Sequence, residues 1–352
     1  MRTEDVGQAI AKLDQAIRAH PQSHGLFEVR AASLKYAGDL TGAYQTLLAA
    51  LAGHPQVASL HMSAAHLAAQ VGDARAGLRH AEAAVGLAPA AGGPQMTLAE
   101  LCLAVGDPAR AAAIAGDLLA RNPFDQAALA YRATAWRLLD DPRYQPDYDG
   151  LVGVLKMDTP QGWPDLDSYL ADLAAALGGV HAFRTHPLDQ SLRHGSQASN
   201  LTMSSDPVIQ AFFRAVDGPI RRHLADMGQG EGPVRSRNLG GYEMVGAWSV
   251  RLRPGGFHTD HLHPQGWLSS ACYIALPDGV QDATRRDGWL KFGEPGIATA
   301  PPLPPERHVA PEPGRLVLFP SSMWHGTVPF SGDKPRLSIA FDLIPAAAQS
   351  VA

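Results

Sequence analysis

The first 140 residues repeat themselves every 34 positions, with small, apolar and turn-forming residues returning in phase. The prolines of this pattern are Pro21, Pro55, Pro89 and Pro123. Gly-Asp pairs share the interval, at 38–39, 72–73 and 106–107. Alanines share it as well, at Ala31, Ala65, Ala99 and Ala133. A unit with small residues where two helices cross, a turn between them and a closing proline predicts a solenoid of helix-turn-helix repeats.

The pattern changes in the second half of the chain. An amphipathic run over 207–227 predicts one long helix, and short segments of alternating polarity separated by Gly and Pro follow it. The predicted strands are 247–252, 267–276, 288–292, 315–319 and 336–343. Such strands predict an all-β sandwich or barrel, and a double-stranded β-helix of the jelly-roll kind fits best. The predicted fold class is α+β with two domains, a helical solenoid over 1–145 and a jelly roll over 146–348.

Composition and charge exclude several classes of protein. The chain of 352 residues carries 29 basic and 34 acidic residues, for a formal charge of -5, without a long run of either sign. This balance argues against a nucleic-acid or anionic-membrane surface. No stretch of about 18 apolar residues predicts a membrane span, and the acidic start of the chain is unlike a secretory signal. With only Cys102 and Cys272 available, we expect no disulfide framework and a cytoplasmic location.

The last predicted strand carries a chemical signal. Alternate residues from Arg336 to Asp342 share one face, and the residues between them are apolar. The apolar face must pack on a partner layer, so Arg336 and Ser338 are expected to point into the opposite, polar cavity. Because a desolvated guanidinium requires an anion, the dicarboxylate 2-oxoglutarate would suit this position. The alternative is that Arg336 pairs with a carboxylate of the protein.

Three histidines and a carboxylate crowd one short stretch of the chain. In an extended segment, His258 and Asp260 share one face. The other face carries His261 and His263, so only one of the two pairs can address a metal ion, unless a bulge mixes them. His325 is a further predicted ligand, because a hairpin between it and the last strand would bring it beside the polar cavity. A polar stretch over 186–197 is a candidate lining for this pocket.

Both halves of the chain resemble known families. The repeating units over 5–140 are similar to tetratricopeptide repeats, which implies a concave groove for an extended peptide or protein, or a dimerisation module. Residues 185–345 resemble a family of bacterial 2OG-Fe(II) oxygenases that is often found behind such repeats. The blocks that carry this resemblance are 255–264, 269–273, 288–295, 314–321, 325–326 and 336–339.

The oxygenase resemblance implies Fe(II), 2-oxoglutarate and O2 as reactants. It places the family's His-x-His-Pro element on His261 and His263 and its distal histidine on His325, which favours these three as the metal ligands. The usual triad has two histidines and one carboxylate, so the pair with Asp260 stays open as the alternative. The implied ligands of 2-oxoglutarate are Arg336, Ser338 and Tyr273.

The sequence thus predicts an Fe(II)- and 2-oxoglutarate-dependent oxygenase, a hydroxylase acting on a protein, peptide or peptide-like small molecule. The repeats would aid recognition or assembly, and no catalytic residue is predicted beyond the metal centre. One alternative is a cupin-like iron dioxygenase that uses no 2-oxoglutarate. The other is a protein-binding repeat module whose barrel has lost its activity.

Overall fold

The computed structural model of the protein describes residues 6–181, 190–280 and 282–347. The chain divides into two compact units, Met1–Tyr144 with Ile297–Leu303, and Gln145–Gly296 with Pro304–Ala352. Residues 1–5 and 348 of the predicted domains lie outside the described residues, as do 186–189 of the polar stretch. None of the helices within the described ranges is both long and apolar enough to cross a membrane.

The first unit is built from helices that follow one another in pairs. Their bounds are α1 (Val6–Ala19), α2 (His24–Tyr36), α3 (Leu40–Gly53), α4 (Ala58–Gln70), α5 (Ala74–Leu87), α6 (Gly92–Ala104), α7 (Pro108–Arg121) and α8 (Gln126–Leu138). Ala31, Ala65 and Ala99 are buried at equivalent positions of α2, α4 and α6. The prediction of a helical repeat that resembles tetratricopeptide repeats is therefore confirmed.

A glycine and an aspartate separate the helices within each repeat. The glycines have φ values of 89°, 92° and 80°, at Gly38, Gly72 and Gly106. This left-handed conformation favours glycine because a Cβ would be strained there. The aspartates cap α3, α5 and α7 by accepting a backbone N–H bond of 2.8, 2.9 and 3.1 Å, at Asp39, Asp73 and Asp107. The recurring Gly-Asp pair thus supplies both the turn and the helix cap.

The second unit contains two antiparallel sheets, three α-helices and two short 3-10 helices, Leu201–Met203 and Arg235–Arg237, among its described residues. The α-helices are α9 (Tyr148–Leu151), α10 (Leu166–Val180) and α11 (Pro207–Met227). The strands are β1 (Gly153–Lys156), β2 (Leu192–Ala198), β3 (Gly240–His258), β4 (Leu268–Ala275), β5 (Leu290–Phe292), β6 (Arg307–Val309), β7 (Arg315–Pro320), β8 (His325–Thr327) and β9 (Arg336–Ala347). The larger sheet has the order β1-β7-β4-β9-β3-β2, and the smaller has the order β6-β5-β8.

The larger sheet has one apolar face and one polar face. Ile339 and Phe341 of β9 belong to the same buried cluster as Phe212 of α11, so this face packs on the helices. Arg336 and Ser338 alternate with these residues and are buried as well, with 2% and 5% of their surface exposed. The alternation predicted for the last strand is thereby confirmed, and it directs the two polar residues away from the helices.

The predicted hairpin between His325 and Arg336 is wrong. β8, which begins at His325, pairs with β5 in the smaller sheet, whereas β9 pairs with β3 and β4 in the larger sheet. The intervening chain is anchored by Phe330, which is buried against Val250 and Leu252. Because this anchor lies in the larger sheet's own cluster, the chain crosses between sheets instead of turning back on itself.

Candidate metal centre

His261 and His325 lie side by side because their backbones are hydrogen-bonded to each other. The amide of His261 donates to the carbonyl of His325 at 2.9 Å, and the amide of His325 donates to the carbonyl of His261 at 3.1 Å. Their ring centroids are 4.2 Å apart, and the ring of His263 lies 5.1 Å from each. One ring nitrogen from each residue falls within 4.8 Å of the others. These three residues are called the histidine cluster below.

Each ring of the cluster has its Nδ1 atom engaged on the side away from the other two. The acceptors are Thr259 O at 2.8 Å from His261, Met323 O at 2.9 Å from His325 and Asp342 Oδ1 at 2.6 Å from His263. A carbonyl or carboxylate oxygen can only accept, so each Nδ1 carries the proton. In a neutral imidazole the Nε2 atom then presents a lone pair, which is the form that binds a metal ion.

Two rings of the cluster, His261 and His325, are uncharged at neutral pH. Burial, and then the neighbouring His263, lowers the pKa of His261 to about 3. Burial and the neighbouring histidines also hold the pKa of His325 well below its ordinary value. The Nε2 atoms of His261 and His263 are 3.2 Å apart, close enough for one cation to bind both. The Nε2 atom of His261 also lies 3.3 Å from the hydroxyl oxygen of Ser191.

The alternative ligand pair is placed differently. The chain bends at Asp260, so the alternation of an extended strand ends there. The Asp260 carboxylate is 2.8 Å from the ammonium of Lys291, which also pairs with Glu294. His258 Nδ1 is 2.9 Å from the hydroxyl of Ser191, in the polar stretch predicted to line a pocket. Neither His258 nor Asp260 is part of the histidine cluster.

Arg336 and Tyr273 are buried polar residues with unused hydrogen-bonding groups. One guanidinium nitrogen of Arg336 donates to the carbonyl of Gly288 at 3.1 Å, and its Nε has no partner among the described residues. The hydroxyl of Tyr273 is also buried without a partner there. The guanidinium carbon lies 5.0 Å from the centre of the Tyr273 ring, and Ser338 is the β9 residue opposite Tyr273. The structure thus brings together the three residues predicted to bind 2-oxoglutarate.

No carboxylate of the described ranges lies within ion-pair distance of Arg336, so the predicted alternative of an internal ion pair is not observed there. Burial lowers the pKa of this guanidinium, but its ordinary value is so high that it stays charged. An uncompensated buried cation is unfavourable by about 3–5 kcal/mol. An anion bound at Arg336 would remove that penalty.

Two residues at the site were missed by sequence reasoning. Asp342, whose carboxylate accepts from His263, shares a strand face with Arg336, and this alternation is the signal that could have assigned it a role. Lys291, which holds Asp260, gave no such signal, because its partner is fixed by the packing of β5 and not by local spacing.

Comparison with known families agrees with this site. Residues 246–342 match the family model described as "Putative 2OG-Fe(II) oxygenase". The resemblance expected from the sequence is confirmed over these residues, a shorter segment than the one predicted. The matched segment contains the histidine cluster and the residues around Arg336. No curated protein matches the chain.

Solved structures similar to the chain include two prolyl hydroxylases and a tetratricopeptide repeat protein. A prolyl-4-hydroxylase from Pseudomonas putida has a TM-score of 0.37 and 17% identity, over 57% of this chain and 96% of its own. A viral collagen prolyl hydroxylase from Paramecium Bursaria Chlorella virus-1 has a TM-score of 0.36 and 12% identity, over 56% and 97%. A thermophilic TPR protein from Thermus thermophilus has a TM-score of 0.33 and 22% identity, over 38% and 73%.

Proposed function

We propose that the protein is an Fe(II)- and 2-oxoglutarate-dependent oxygenase, a hydroxylase of a protein, peptide or peptide-like small molecule. One observation carries the proposal. Three imidazoles each place a ring nitrogen within 4.8 Å of the others, in the same domain as a buried guanidinium that has no carboxylate partner among the described residues. The first group fits a divalent transition metal, and the second fits a dicarboxylate.

The histidine cluster would hold the iron. Imidazole nitrogen suits Fe(II), and three protein ligands leave coordination positions for other molecules. Bound Fe(II), with 2-oxoglutarate and O2, supplies the oxidising chemistry. Burial keeps the rings of His261 and His325 neutral, and an Nδ1–H bond orients each of the three rings. Asp260 would take no part, because its carboxylate is paired with Lys291 and it is not one of the three clustered residues.

Arg336, Ser338 and Tyr273 would bind 2-oxoglutarate. The guanidinium pairs with the carboxylate remote from the metal, and the Tyr273 hydroxyl donates to the same group. Both groups are buried without enough partners among the described residues, which supports the assignment. The residues around them, Phe292, Val317 and Phe319, form an apolar cluster with Tyr273, so the carboxylate would meet these donors with little competition from water.

We also propose the division of labour between two domains. Residues 146–348 would form the double-stranded β-helix of the oxygenase, with its two antiparallel sheets as the two layers. Residues 1–145 would form the repeat domain, which would aid recognition or assembly. The 34-residue period and the repeated helix pairs support this second assignment.

The test is binding of 2-oxoglutarate to the Fe(II) protein without O2, followed as the metal-to-ligand charge-transfer band. We expect the wild type to give the band, Arg336→Ala to weaken 2-oxoglutarate binding about 10- to 100-fold, and His325→Ala to bind no stoichiometric iron. Arg222→Ala removes an exposed arginine paired with Asp158 and is the control. Iron binding without the band would favour the cupin-like dioxygenase, and no iron binding would favour the binding module.

A further inference from the structure

We propose that Asp342 is a positioning residue that supplies, through the His263 ring, the negative charge that the histidine cluster itself lacks. This inference rests on the proposed function, because it concerns how the same site holds its metal ion. The common site for non-haem Fe(II) contains a carboxylate among its ligands. Three histidine ligands include none, so a nearby carboxylate has an electrostatic role to fill.

The Asp342 carboxylate is tightly held behind the His263 ring. Its Oδ1 atom accepts the Nδ1–H bond of His263 at 2.6 Å and the hydroxyl of Ser269 at 2.7 Å. Ser269 is fully buried, and its oxygen lies 2.8 Å from that of Ser321. A distance of 2.6 Å lies at the short end of the range for an N–H···O hydrogen bond.

Asp342 acts through the ring and not as a ligand. The two nitrogens of an imidazole lie on opposite sides of the ring, and the one bonded to Asp342 is Nδ1. The Nε2 atom of His263 faces His261 at 3.2 Å. A carboxylate hydrogen-bonded to the rear nitrogen fixes the ring's tautomer and makes its front nitrogen a stronger donor to a metal ion.

Of the three rings of the cluster, only that of His263 is hydrogen-bonded to a carboxylate among the described residues. The other two rings, His261 and His325, donate their Nδ1–H groups to backbone carbonyls, which are dipoles without net charge. Asp260 is close to the cluster in sequence, but its carboxylate is paired with Lys291. Among the described residues no lysine or arginine pairs with Asp342, whose carboxylate contacts His263 Nδ1 at 2.6 Å. The carboxylate therefore acts on the metal site through His263.

Two variants separate this role from simple packing. Asp342→Asn keeps an oxygen that can accept from Nδ1–H but removes the charge, and Asp342→Ala removes both. Asp217→Asn is the matched control, because Asp217 of α11 accepts from Arg221 of the same helix and from Tyr242 of β3, outside the histidine cluster. Thermal unfolding of each metal-free variant reports whether the fold is retained. The metal probe is Co(II), titrated against a chromophoric chelator, with its d–d spectrum recorded for each protein.

We expect Co(II) to bind the wild type and Asp217→Asn equally, Asp342→Asn about tenfold more weakly, and Asp342→Ala about 10- to 100-fold more weakly. In the metal-free wild type, long-range 1H–15N correlation spectra should show the ring proton of His263 on Nδ1. In metal-free Asp342→Ala, a larger fraction of His263 should carry this proton on Nε2. Wild-type affinity in both Asp342 variants, or a wild-type His263 proton on Nε2, overturns this inference alone. A wild type that binds neither Co(II) nor Fe(II) overturns the proposed function together with it.

Discussion

Buried polar groups without partners distinguish the proposed cosubstrate site from the apolar core at the scale of single residues. Tyr169 and Tyr273 are both fully buried tyrosines of the second unit. The Tyr169 hydroxyl donates to the carbonyl of Val208 at 3.1 Å, whereas the Tyr273 hydroxyl has no partner in the part of the chain that the structure describes. A buried hydroxyl without a hydrogen bond destabilises the fold, so its presence beside Arg336 indicates a requirement other than stability.

Tyr273→Phe should therefore stabilise the ligand-free protein and weaken its binding of 2-oxoglutarate. Removing an unsatisfied buried hydroxyl should raise the free energy of unfolding by about 1 kcal/mol, measured by urea denaturation. The same change should weaken 2-oxoglutarate binding to the Fe(II) protein about tenfold, because one donor to the carboxylate is lost.

Tyr169→Phe is the control for this prediction. Its hydroxyl is bonded, so the substitution should lower the free energy of unfolding by about 1 kcal/mol and leave 2-oxoglutarate affinity unchanged. If Tyr273→Phe destabilised the protein as Tyr169→Phe does, the hydroxyl would have a partner in the ligand-free state, and its assignment to the cosubstrate would fail.

Local signals were enough to predict most helices and strands. The Gly-Asp pair specifies a turn and a cap within three residues, and its repetition predicted α3, α5 and α7. The helix predicted over 207–227 has those bounds as α11. The strand predicted over 315–319 is β7, Arg315–Pro320. Each of these elements depends on contacts between residues close in sequence or on one alternating face.

The site could be predicted only in part, because it depends on pairing between distant elements. Alternation in β9 predicted that Arg336 faces inward, but not that the chain crosses to another sheet after β8. The alternation of side chains in a strand distinguished two candidate ligand pairs. It predicted neither the bend at Asp260 nor the ion pair with Lys291. Register across strands is set by packing that no single segment contains.

Helix α11 carries a buried histidine that should make the second unit sensitive to acid. His223 is 5% exposed, and burial lowers its pKa to about 4. In the unfolded chain His223 takes up a proton near its ordinary pKa of about 6.5, whereas in the folded protein it stays neutral down to about pH 4. Protonation therefore favours the unfolded chain, and stability is lost as the pH falls from about 6.5 toward 4. Between pH 7 and pH 5 we expect a loss of about 2 kcal/mol from this residue.

His223→Gln tests the acid sensitivity of α11 by removing the titrating group. Urea denaturation of the metal-free wild type and variant at pH 7 and pH 5 gives the change in unfolding free energy for each. The variant should lose about 2 kcal/mol less than the wild type over this range, whatever its stability at pH 7. If wild type and variant lost the same unfolding free energy between pH 7 and pH 5, His223 would not be the source of the acid sensitivity.

At the scale of the whole molecule, each unit has apolar clusters of its own. One buried cluster draws its members from α2, α3 and α4 of the helical unit, including Leu34, Leu47 and Leu60. Another joins α10 and α11 to the larger sheet, through residues such as Leu173 and Phe212. The proposed ligand residues belong to the second unit. A ligand that binds there stabilises the folded state of that unit by mass action.

Calorimetry of the full chain should therefore show two unfolding transitions. Co(II) with 2-oxoglutarate should raise the midpoint temperature of one of them. At ligand concentrations about 100 times the dissociation constant, the stabilisation is about 2.7 kcal/mol, or roughly 5–10 °C for a unit of this size. Hydrogen exchange read by mass spectrometry should assign the raised transition to β3, β4, β8 and β9, which carry or border the site. In Arg336→Ala, 2-oxoglutarate should add little to the shift that Co(II) gives alone. A single transition that moves as a whole would instead mean that the two units unfold as one cooperative body, and a shift confined to α1–α8 would place the ligands in the helical repeat.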